Sequence, residues 1–267
     1  MRQRSILVSA VLLGLFSFAL PALAQKIGDK VVVISDSVEI KVRTKVIDTT
    51  RAGAIFVVRE VQGELIGINS VHGTGFVEKR HLIPLSQAVS HWSEVIRSDP
   101  DDSSAYIGRG LAHRELRDYD KAIADYEEAI RLDPKFQGPR VYRRSAWEKK
   151  GDWEKVIADY EATLKEGSPT ADICNGLAWL RATCPDAKHR NGQQAVEYAT
   201  KACELTAWRL AGTIDTLAAA YAEAGDFDKA VEWQQKGMNL APADQKADYE
   251  TRLKLYQEKK PYRQPAK

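Results

Sequence analysis

A spacing of about 34 residues recurs through the middle of this 267-residue chain. A small residue, an aromatic residue and a proline return at that spacing: Ala88, Trp92 and Pro100, then Ala122, Tyr126 and Pro134, then Val156, Tyr160 and a displaced Pro169. A fixed period of this length is typical of stacked helical hairpins, because one hairpin cannot bury its apolar face alone. The spacing therefore predicts a helical solenoid whose curved surface is suited to holding another molecule.

Residues 1–24 have the three-part pattern of a secretory signal. Two arginines precede an apolar run over residues 6–20, and a small-x-small triplet ends at Ala24. The run is shorter than the ~20 apolar residues of a spanning helix, which favours cleavage over an uncleaved anchor. We expect cleavage after Ala24 and an exported, periplasmic or secreted chain that has no membrane span after cleavage.

The charge pattern argues against a polyanionic partner. The formal net charge is +2, and no run of Lys and Arg is interleaved with aromatic residues. A nucleic-acid groove or a polybasic membrane patch needs such a basic surface. We therefore expect no nucleic-acid partner.

Short β-branched runs separated by glycine turns occupy residues 30–85. We expect strands near residues 31–34, 38–42, 54–58 and 65–68, and such a set forms a small all-β barrel or sandwich. The run over residues 57–68, followed by Gly75-Phe76-Val77 and a closing strand at residues 82–85, resembles bacterial Src-homology-3-like domains. The resemblance implies a Src-homology-3-like β-barrel at residues 25–86 and, as an alternative function, a module that binds cell-wall peptidoglycan.

Two departures from that family limit what its ligands imply here. Leu65 stands where the family usually has Trp, and Phe76 replaces a second aromatic residue. Between Lys26 and Leu85 the only aromatic residues are Phe56 and Phe76, and we expect both in the core. A proline-rich ligand needs an aromatic-lined groove, so we expect no such ligand.

From Ser86 onward the apolar period becomes helical, with Ala88, Trp92 and Val95 at the spacing of one buried helix face. Six positions match the tetratricopeptide repeat pattern of aromatic, small, small, aromatic, small and proline: Tyr106, Gly110, Ala122, Tyr126, Ala129 and Pro134. A further copy has Leu217, Tyr221, Ala230 and Pro242. The chain therefore resembles tetratricopeptide repeat proteins over most of residues 86–242.

The resemblance implies a two-domain protein, in which an all-α tetratricopeptide repeat superhelix follows the barrel. We expect a half repeat at residues 87–100, full repeats at residues 103–136, 137–168, 169–209 and 211–242, and a capping helix at residues 243–260. A long connection from Cys184 to Gly192 interrupts the third repeat. In the second repeat Arg144 and Val156 replace small residues, so we expect its two helices to lie further apart.

The family implies a ligand groove lined by the first helix of each pair. At the corresponding positions the chain has Ile107, Leu111, Arg114, Tyr142, Ser145, Lys149, Ile173, Leu177 and Arg181. This mixed apolar and cationic set predicts a protein or peptide partner, with Arg or Lys contacting a carboxylate. The alternative is that the charged members form a solvated face. The main hypothesis is a non-enzymatic protein-interaction scaffold.

The sequence lacks the motifs of the common catalytic and cofactor sites. No GxSxG, HExxH, phosphate loop or dinucleotide fingerprint is present. The histidines are scattered, and His113 has the position of a packing residue. We therefore expect no catalytic residue, metal or cofactor, and no enzyme activity.

Three cysteines are an odd number, so at most one internal disulfide can form. Cys174 near the start of one predicted helix lies beside Cys203 near the end of the next, which favours this pair over Cys184 with Cys203. Thiols that pack as small core residues are the alternative. A third hypothesis for function is a metal- or redox-linked protein that uses Cys184, His189 and Cys203.

Overall fold

The computed structural model describes residues 25–165 and 169–265, so the expected signal sequence lies outside the described residues. The chain divides into two compact units, one ending at Gln87 and one beginning at Ala88. Within the described residues, strands occur only before Leu85 and α-helices only from Leu85 onward. The chain therefore has an all-β region followed by an all-α region.

Short antiparallel strands form two sheets in residues 30–84. The strands are β1 (Lys30–Val33), β2 (Val38–Val42), β3 (Lys45–Thr50), β4 (Ile55–Val57), β5 (Glu60–Gln62), β6 (Leu65–Ser70), β7 (Gly73–Glu78) and β8 (Leu82–Pro84). In the first sheet β1 lies between β4 and β8, and the second sheet has the order β3-β2-β7-β6-β5. The register of β1 places Val32 opposite Ile55 on one side and Ile83 on the other.

The two sheets share one hydrophobic core. Val31 and Val33 of the first sheet are buried with Ile40, Ile66 and Val77 of the second. In β2 the exposed Glu39 separates two buried residues, the alternation of a strand with one face on a core. The all-β prediction is confirmed. The sheets do not close into one barrel in the described residues, and the Src-homology-3-like relationship stays a prediction.

The helical region of the described chain has ten α-helices. They are α1 (Leu85–Ser98), α2 (Ser103–Glu115), α3 (Tyr119–Leu132), α4 (Gly138–Lys150), α5 (Trp153–Lys165), α6 (Ala171–Thr183), α7 (Gly192–Leu205), α8 (Ala211–Glu223), α9 (Phe227–Leu240) and α10 (Lys246–Gln257). Four contacting pairs follow α1, namely α2 with α3, α4 with α5, α6 with α7 and α8 with α9. None of the described helices combines the length and apolarity needed to cross a membrane.

Local chemistry sets several helix ends. The Asp102 side chain caps α2 by accepting from the backbone N–H of Ser104 at 2.9 Å. Asn191 caps α7 in the same way, accepting from the Gln194 N–H at 3.0 Å. At the other end of α4, Gly151 has a φ of +78°, the left-handed conformation that terminates many helices.

Glycines in two first helices allow an aromatic ring of a neighbouring second helix, α3 for α2 and α5 for α6, to pack on their backbone. A Cβ atom added at Gly110 would lie 2.6 Å from Cε1 of Tyr126, and one at Gly176 would lie 2.4 Å from the Tyr160 hydroxyl. Ala122 is fully buried in the same core. The expected close packing at the small repeat positions is therefore confirmed in the first full pair.

Candidate binding groove of the helical repeats

The helices α2, α4, α6 and α8 are the first helices of the four pairs. Contacts join α2 to α4 and α6 to α8, so the first helices lie side by side in these two places. We call the surface that they present the first-helix face. It is where the repeat pattern predicts a partner.

On α2 the three predicted groove residues differ in exposure. Ile107 and Arg114 are half-buried, whereas Leu111 is only 8% exposed. The guanidinium carbon of Arg114 lies 5.6 Å from the ring centroid of Tyr142, a cation–π distance. The surface of α2 therefore offers a cation and one apolar side chain to a partner, and little of Leu111.

On α4 the predicted residues differ in exposure. Tyr142 is half-buried and packs against the core, with its ring centroid 5.7 Å from that of Tyr126 of α3. Ser145 is half-buried and Lys149 is exposed. Val141, which is 51% exposed, is the apolar residue that α4 presents to solvent. Val141 stands one repeat period after Ile107, so the repeat spacing could have identified it as a groove residue.

On α6 two of the three predicted residues are already engaged. Leu177 is fully buried in the core, so the expectation that it lines the groove is corrected. Arg181 donates from Nη2 to Oε1 of Glu161 at 2.8 Å and from Nη1 to the His189 carbonyl at 3.2 Å. Ile173 is 8% exposed and lines a cavity.

That cavity has a volume of about 700 Å³ and lies where α4, α5 and α6 meet. Its lining includes Arg144, Val141, Tyr160 and Thr163. Arg144 stands one repeat period after Gly110, and α4 packs less closely on α5 than α2 packs on α3. The wider spacing that Arg144 predicted is therefore confirmed.

Arg144 is 5% exposed and fills the position that a glycine has in α2. Its Nη1 donates to Oδ2 of Asp159 at 2.7 Å, and its guanidinium carbon lies 4.4 Å from the Tyr160 ring centroid. Arg143 pairs with the other oxygen of the same carboxylate. Two arginines therefore share one aspartate inside the second pair.

The first pair has a related ion pair at the same repeat positions. Arg109 Nη2 lies 2.7 Å from Oδ1 of Asp125, and this hydrogen bond raises the pKa of Arg109. Arg109 and Asp125 recur one repeat period later as Arg143 and Asp159. Sequence reasoning missed this pairing, although both charges follow the period.

The cations of the first-helix face are not all neutralised. Arg114 and Lys149 have no carboxylate partner among the described residues, in contrast to Arg109, Arg143 and Arg181. One cation lies on α2 and the other on α4. Together with exposed Val141, they make the α2–α4 part of the face the strongest candidate for contact with a carboxylate.

The three cysteines are buried free thiols. Cys174 lines a cavity with Tyr198 and Lys201, whereas Cys203 lies in the core with Ala178 and Ile214. Cys174 and Cys203 are both free thiols in this structure, and their pairing stays a prediction. Burial raises the pKa of each thiol, which fits the alternative of small core residues.

The long connection between α6 and α7, residues 184–191, is held by arginines. Arg190 donates from Nη1 to the Cys184 carbonyl at 2.7 Å and from Nε to Oε1 of Glu223 at 3.2 Å. Across residues 25–165 and 169–265, no group of three or more His, Cys, Asp or Glu side chains could hold a metal ion. Of the three residues in the metal- or redox-linked hypothesis, Cys184 and His189 lie in this loop, whereas Cys203 lies in the core between helices.

A cavity of about 670 Å³ lies on the β region. Leu65 and Phe76 contribute to its lining, with charged side chains that include Glu39 and Arg80. Phe76 is half-buried at this cavity, whereas Phe56 packs against the core as expected. With one aromatic residue in its lining, the cavity offers no aromatic-lined groove.

Two parts of the helical region match a known repeat family. Residues 103–136 and residues 210–241 each match the tetratricopeptide repeat. Both matches support a tetratricopeptide repeat protein. The matched segments coincide with the pair α2–α3 and the pair α8–α9. The repeats support a protein-interaction scaffold, and nothing in them points to catalysis. No curated protein matches the sequence.

Solved structures of repeat proteins resemble the chain at low identity. A crystal structure of MamA is 18% identical, covers 62% of this chain and 92% of its own, and has a TM-score of 0.50. MamA from Desulfovibrio magneticus RS-1, residue 41 to its end, is 18% identical, with coverages of 58% and 85% and a TM-score of 0.49. YrrB, described as a TPR protein with an unusual peptide-binding site, is 17% identical, with coverages of 64% and 84% and a TM-score of 0.49. At these identities the likeness concerns the fold alone.

Proposed function

We propose that the protein is an exported, non-enzymatic scaffold that holds an extended acidic segment of a partner protein. The segment lies on the first-helix face between α2 and α4. The observation that carries the proposal is the pair of cations on this surface, Arg114 and Lys149, that have no carboxylate partner among the described residues. Their neighbours of like charge, Arg109 and Arg143, are both paired internally.

The chemistry of this surface suits a peptide more than a small molecule. Arg114 supplies a planar guanidinium that can donate two hydrogen bonds to a carboxylate, and Lys149 supplies a second, mobile cation. Val141 and Ile107 add apolar contact between them. An extended segment with acidic residues and one apolar side chain satisfies all four groups.

Export and the fold of the β region belong to the same proposal. The signal pattern supports cleavage after Ala24, and the mass of the mature protein with its N-terminal sequence tests it, since the mature chain should begin at Gln25. For residues 30–84 we propose a Src-homology-3-like relationship, supported by two small antiparallel sheets around one core. An experimental structure of the β region tests that relationship.

A charge-reversal experiment tests the binding surface. A library of twelve-residue peptides is screened against the full chain, and the peptides that bind are titrated against Arg114→Glu combined with Lys149→Glu. We expect enrichment of Asp and Glu in the bound peptides and a loss of affinity of about a hundredfold in the double variant, since two charge contacts become repulsive.

The matched control is Arg131→Glu combined with Lys155→Glu, which makes the same change in net charge on α3 and α5. Both side chains are mostly exposed and lie on second helices. The control should bind the peptides as the unaltered chain does. Equal losses in both double variants, or no acidic preference in the library, would contradict the proposal.

A further inference from the structure

A short segment after α10 returns to the first-helix face. Residues 261–265, which we call the tail, form neither helix nor strand. The backbone N–H of Gln264 donates to the carbonyl of Thr183, the last residue of α6, at 2.9 Å. The Tyr262 ring lies against Trp179 of α6, with the ring centroids 5.7 Å apart. An extended peptide of this chain therefore already occupies part of the face.

The tail supplies donors to the last carbonyls of α6 and a cation to a carboxylate at the end of α8. The last carbonyls of an α-helix have no donor within the helix, and this end carries the negative pole of the helix dipole. Helix α6 ends at Thr183 and α8 ends at Glu223. Arg263 places Nη1 3.3 Å from the Ala182 carbonyl and Nη2 2.5 Å from Oε2 of Glu223. One guanidinium thus contacts a terminal carbonyl of α6 and the side chain of the last residue of α8.

The groups that receive the tail are held in place by other parts of the molecule. Glu223 accepts from Arg190, which is itself bonded to the Cys184 carbonyl. Trp179 is half-buried and packs against the core formed by α6 to α9. We define the tail subsite as Trp179, Ala182, Thr183 and Glu223. Without the tail it would present an indole face, two carbonyl oxygens and a carboxylate.

The tail has the character of a linear peptide ligand. Proline stands at both of its ends, Pro261 and Pro265. Each proline fixes its own φ and keeps the residue before it, Lys260 or Gln264, away from the helical region. A segment that is already extended loses little conformational entropy when it binds. Its contacts combine one aromatic ring, one guanidinium and one backbone N–H.

We propose that the tail subsite is a second peptide-binding site, which takes an extended partner segment in which an aromatic residue precedes an arginine. The chain's own Tyr262 and Arg263 occupy the site until such a segment displaces them. The inference rests on the proposed function in that the first-helix face is the binding surface. Its ligand is cationic and binds α6 and α8, whereas the acidic ligand binds α2 and α4, so either proposal can fail alone.

Tethering makes the tail an effective competitor. A short linker holds an attached ligand at an effective concentration of about millimolar. A free peptide therefore has to compete for a site that the tail occupies most of the time. The apparent affinity of the free peptide is reduced by the fraction of molecules in which the site is open. Weakening the tail should therefore tighten binding of a free peptide with the same sequence.

The test measures binding of the labelled peptide Lys-Pro-Tyr-Arg-Gln-Pro, the sequence of residues 260–265, to the full chain by fluorescence anisotropy. In the released variant, Tyr262→Ala with Arg263→Ala, we expect the peptide to bind at least about tenfold more tightly than in the unaltered chain. Adding Glu223→Gln to the released variant should remove most of that gain, because the carboxylate that pairs with the arginine is lost.

Two controls and a second variant distinguish specific binding at the tail subsite from a general effect on the fold. The peptide Lys-Pro-Ala-Ala-Gln-Pro should not bind, and Glu232→Gln, at an exposed glutamate of α9, should leave binding unchanged. If circular dichroism shows the released variant to be unfolded, Arg263→Ala alone keeps the Tyr262 contact and should shift the affinity in the same direction. The proposal fails if the released variant binds both peptides with equal affinity, or if adding Glu223→Gln leaves its affinity unchanged. Either result would show that the tail only stabilises the fold.

Discussion

The close approach of α2 and α3 depends on a single residue, Gly110. A side-chain carbon at this position would lie 2.6 Å from Cε1 and 2.9 Å from Cδ1 of the Tyr126 ring. Tyr126 is fully buried, so the ring has no free space to move into. The two helices would have to separate to admit even one methyl group.

We therefore predict that Gly110→Ala lowers the free energy of unfolding by about 1–3 kcal/mol, the usual cost of overpacking a core. Urea denaturation of the full chain measures it. Gly212→Ala is the matched control, because a Cβ at Gly212 in α8 would meet nothing within 4 Å. That control should be neutral or stabilising, since alanine favours a helix over glycine. A stable Gly110→Ala variant would contradict the packing described.

Asp159 neutralises two arginines inside the second pair. We predict that Asp159→Asn lowers the free energy of unfolding by about 3–5 kcal/mol, because it leaves the buried Arg144 guanidinium without its counter-charge. Chemical denaturation measures the effect. Asp120→Asn removes a carboxylate that is 80% exposed and pairs with Lys150, and should change stability little. Equal effects in the two variants would contradict a buried ion pair.

Among the helical elements, α6, α7 and the loop between them contain the three cysteines, and each thiol is buried. Reaction with a thiol reagent requires the thiolate, and burial raises the pKa of all three groups. We predict slow reaction in the native protein and three titratable thiols after unfolding without reductant. One thiol in the unfolded protein would instead show that a disulfide forms, as between Cys174 and Cys203.

The helical elements could be predicted because their packing repeats. Ala122 and Tyr126 have equivalents at a fixed spacing, so one hairpin predicts the next. Groove positions were less predictable, because Tyr142 and Val141 are adjacent and only tertiary packing decides how far each side chain is exposed. The period itself favoured Val141, which stands 34 residues after Ile107.

Other elements gave too weak a signal in the sequence. Strand β3, Lys45–Thr50, is mostly exposed or half-buried and lacks strong alternation, so it was missed. The tail contains no apolar period, and its contacts come from residues about 40 and 80 positions away, such as Glu223 and Ala182. Such non-local pairing of a short polar segment cannot be read from local pattern.

At the scale of the whole molecule, each unit has its own hydrophobic core. The core of the β region lies within residues 31–82, and the cores of the helical region begin after Gln87. Because a repeat array draws its stability from neighbouring hairpins, the helical region should not need the β region to fold.

We predict that a fragment of residues 85–267 keeps the helical circular dichroism of the full chain and unfolds cooperatively. A fragment that starts at residue 103 is the control. It lacks α1, whose Trp92 packs on Gly108 of α2, so it should be less stable. Aggregation or non-cooperative unfolding of the longer fragment would overturn the expectation.

The repeated ion pairs also bear on how two chains could misassemble. Arg109 with Asp125 and Arg143 with Asp159 have the same spacing, so exchanging α3 for α5 between two copies of the chain would still give each aspartate an arginine. Electrostatics therefore offers little protection against such out-of-register pairing of helices between two copies. The packing of the two pairs does differ, because Tyr126 lies directly on the backbone at Gly110, whereas Tyr160 lies on the guanidinium of Arg144. The residue at this one position, Gly110 or Arg144, therefore sets how closely each first helix packs on its partner.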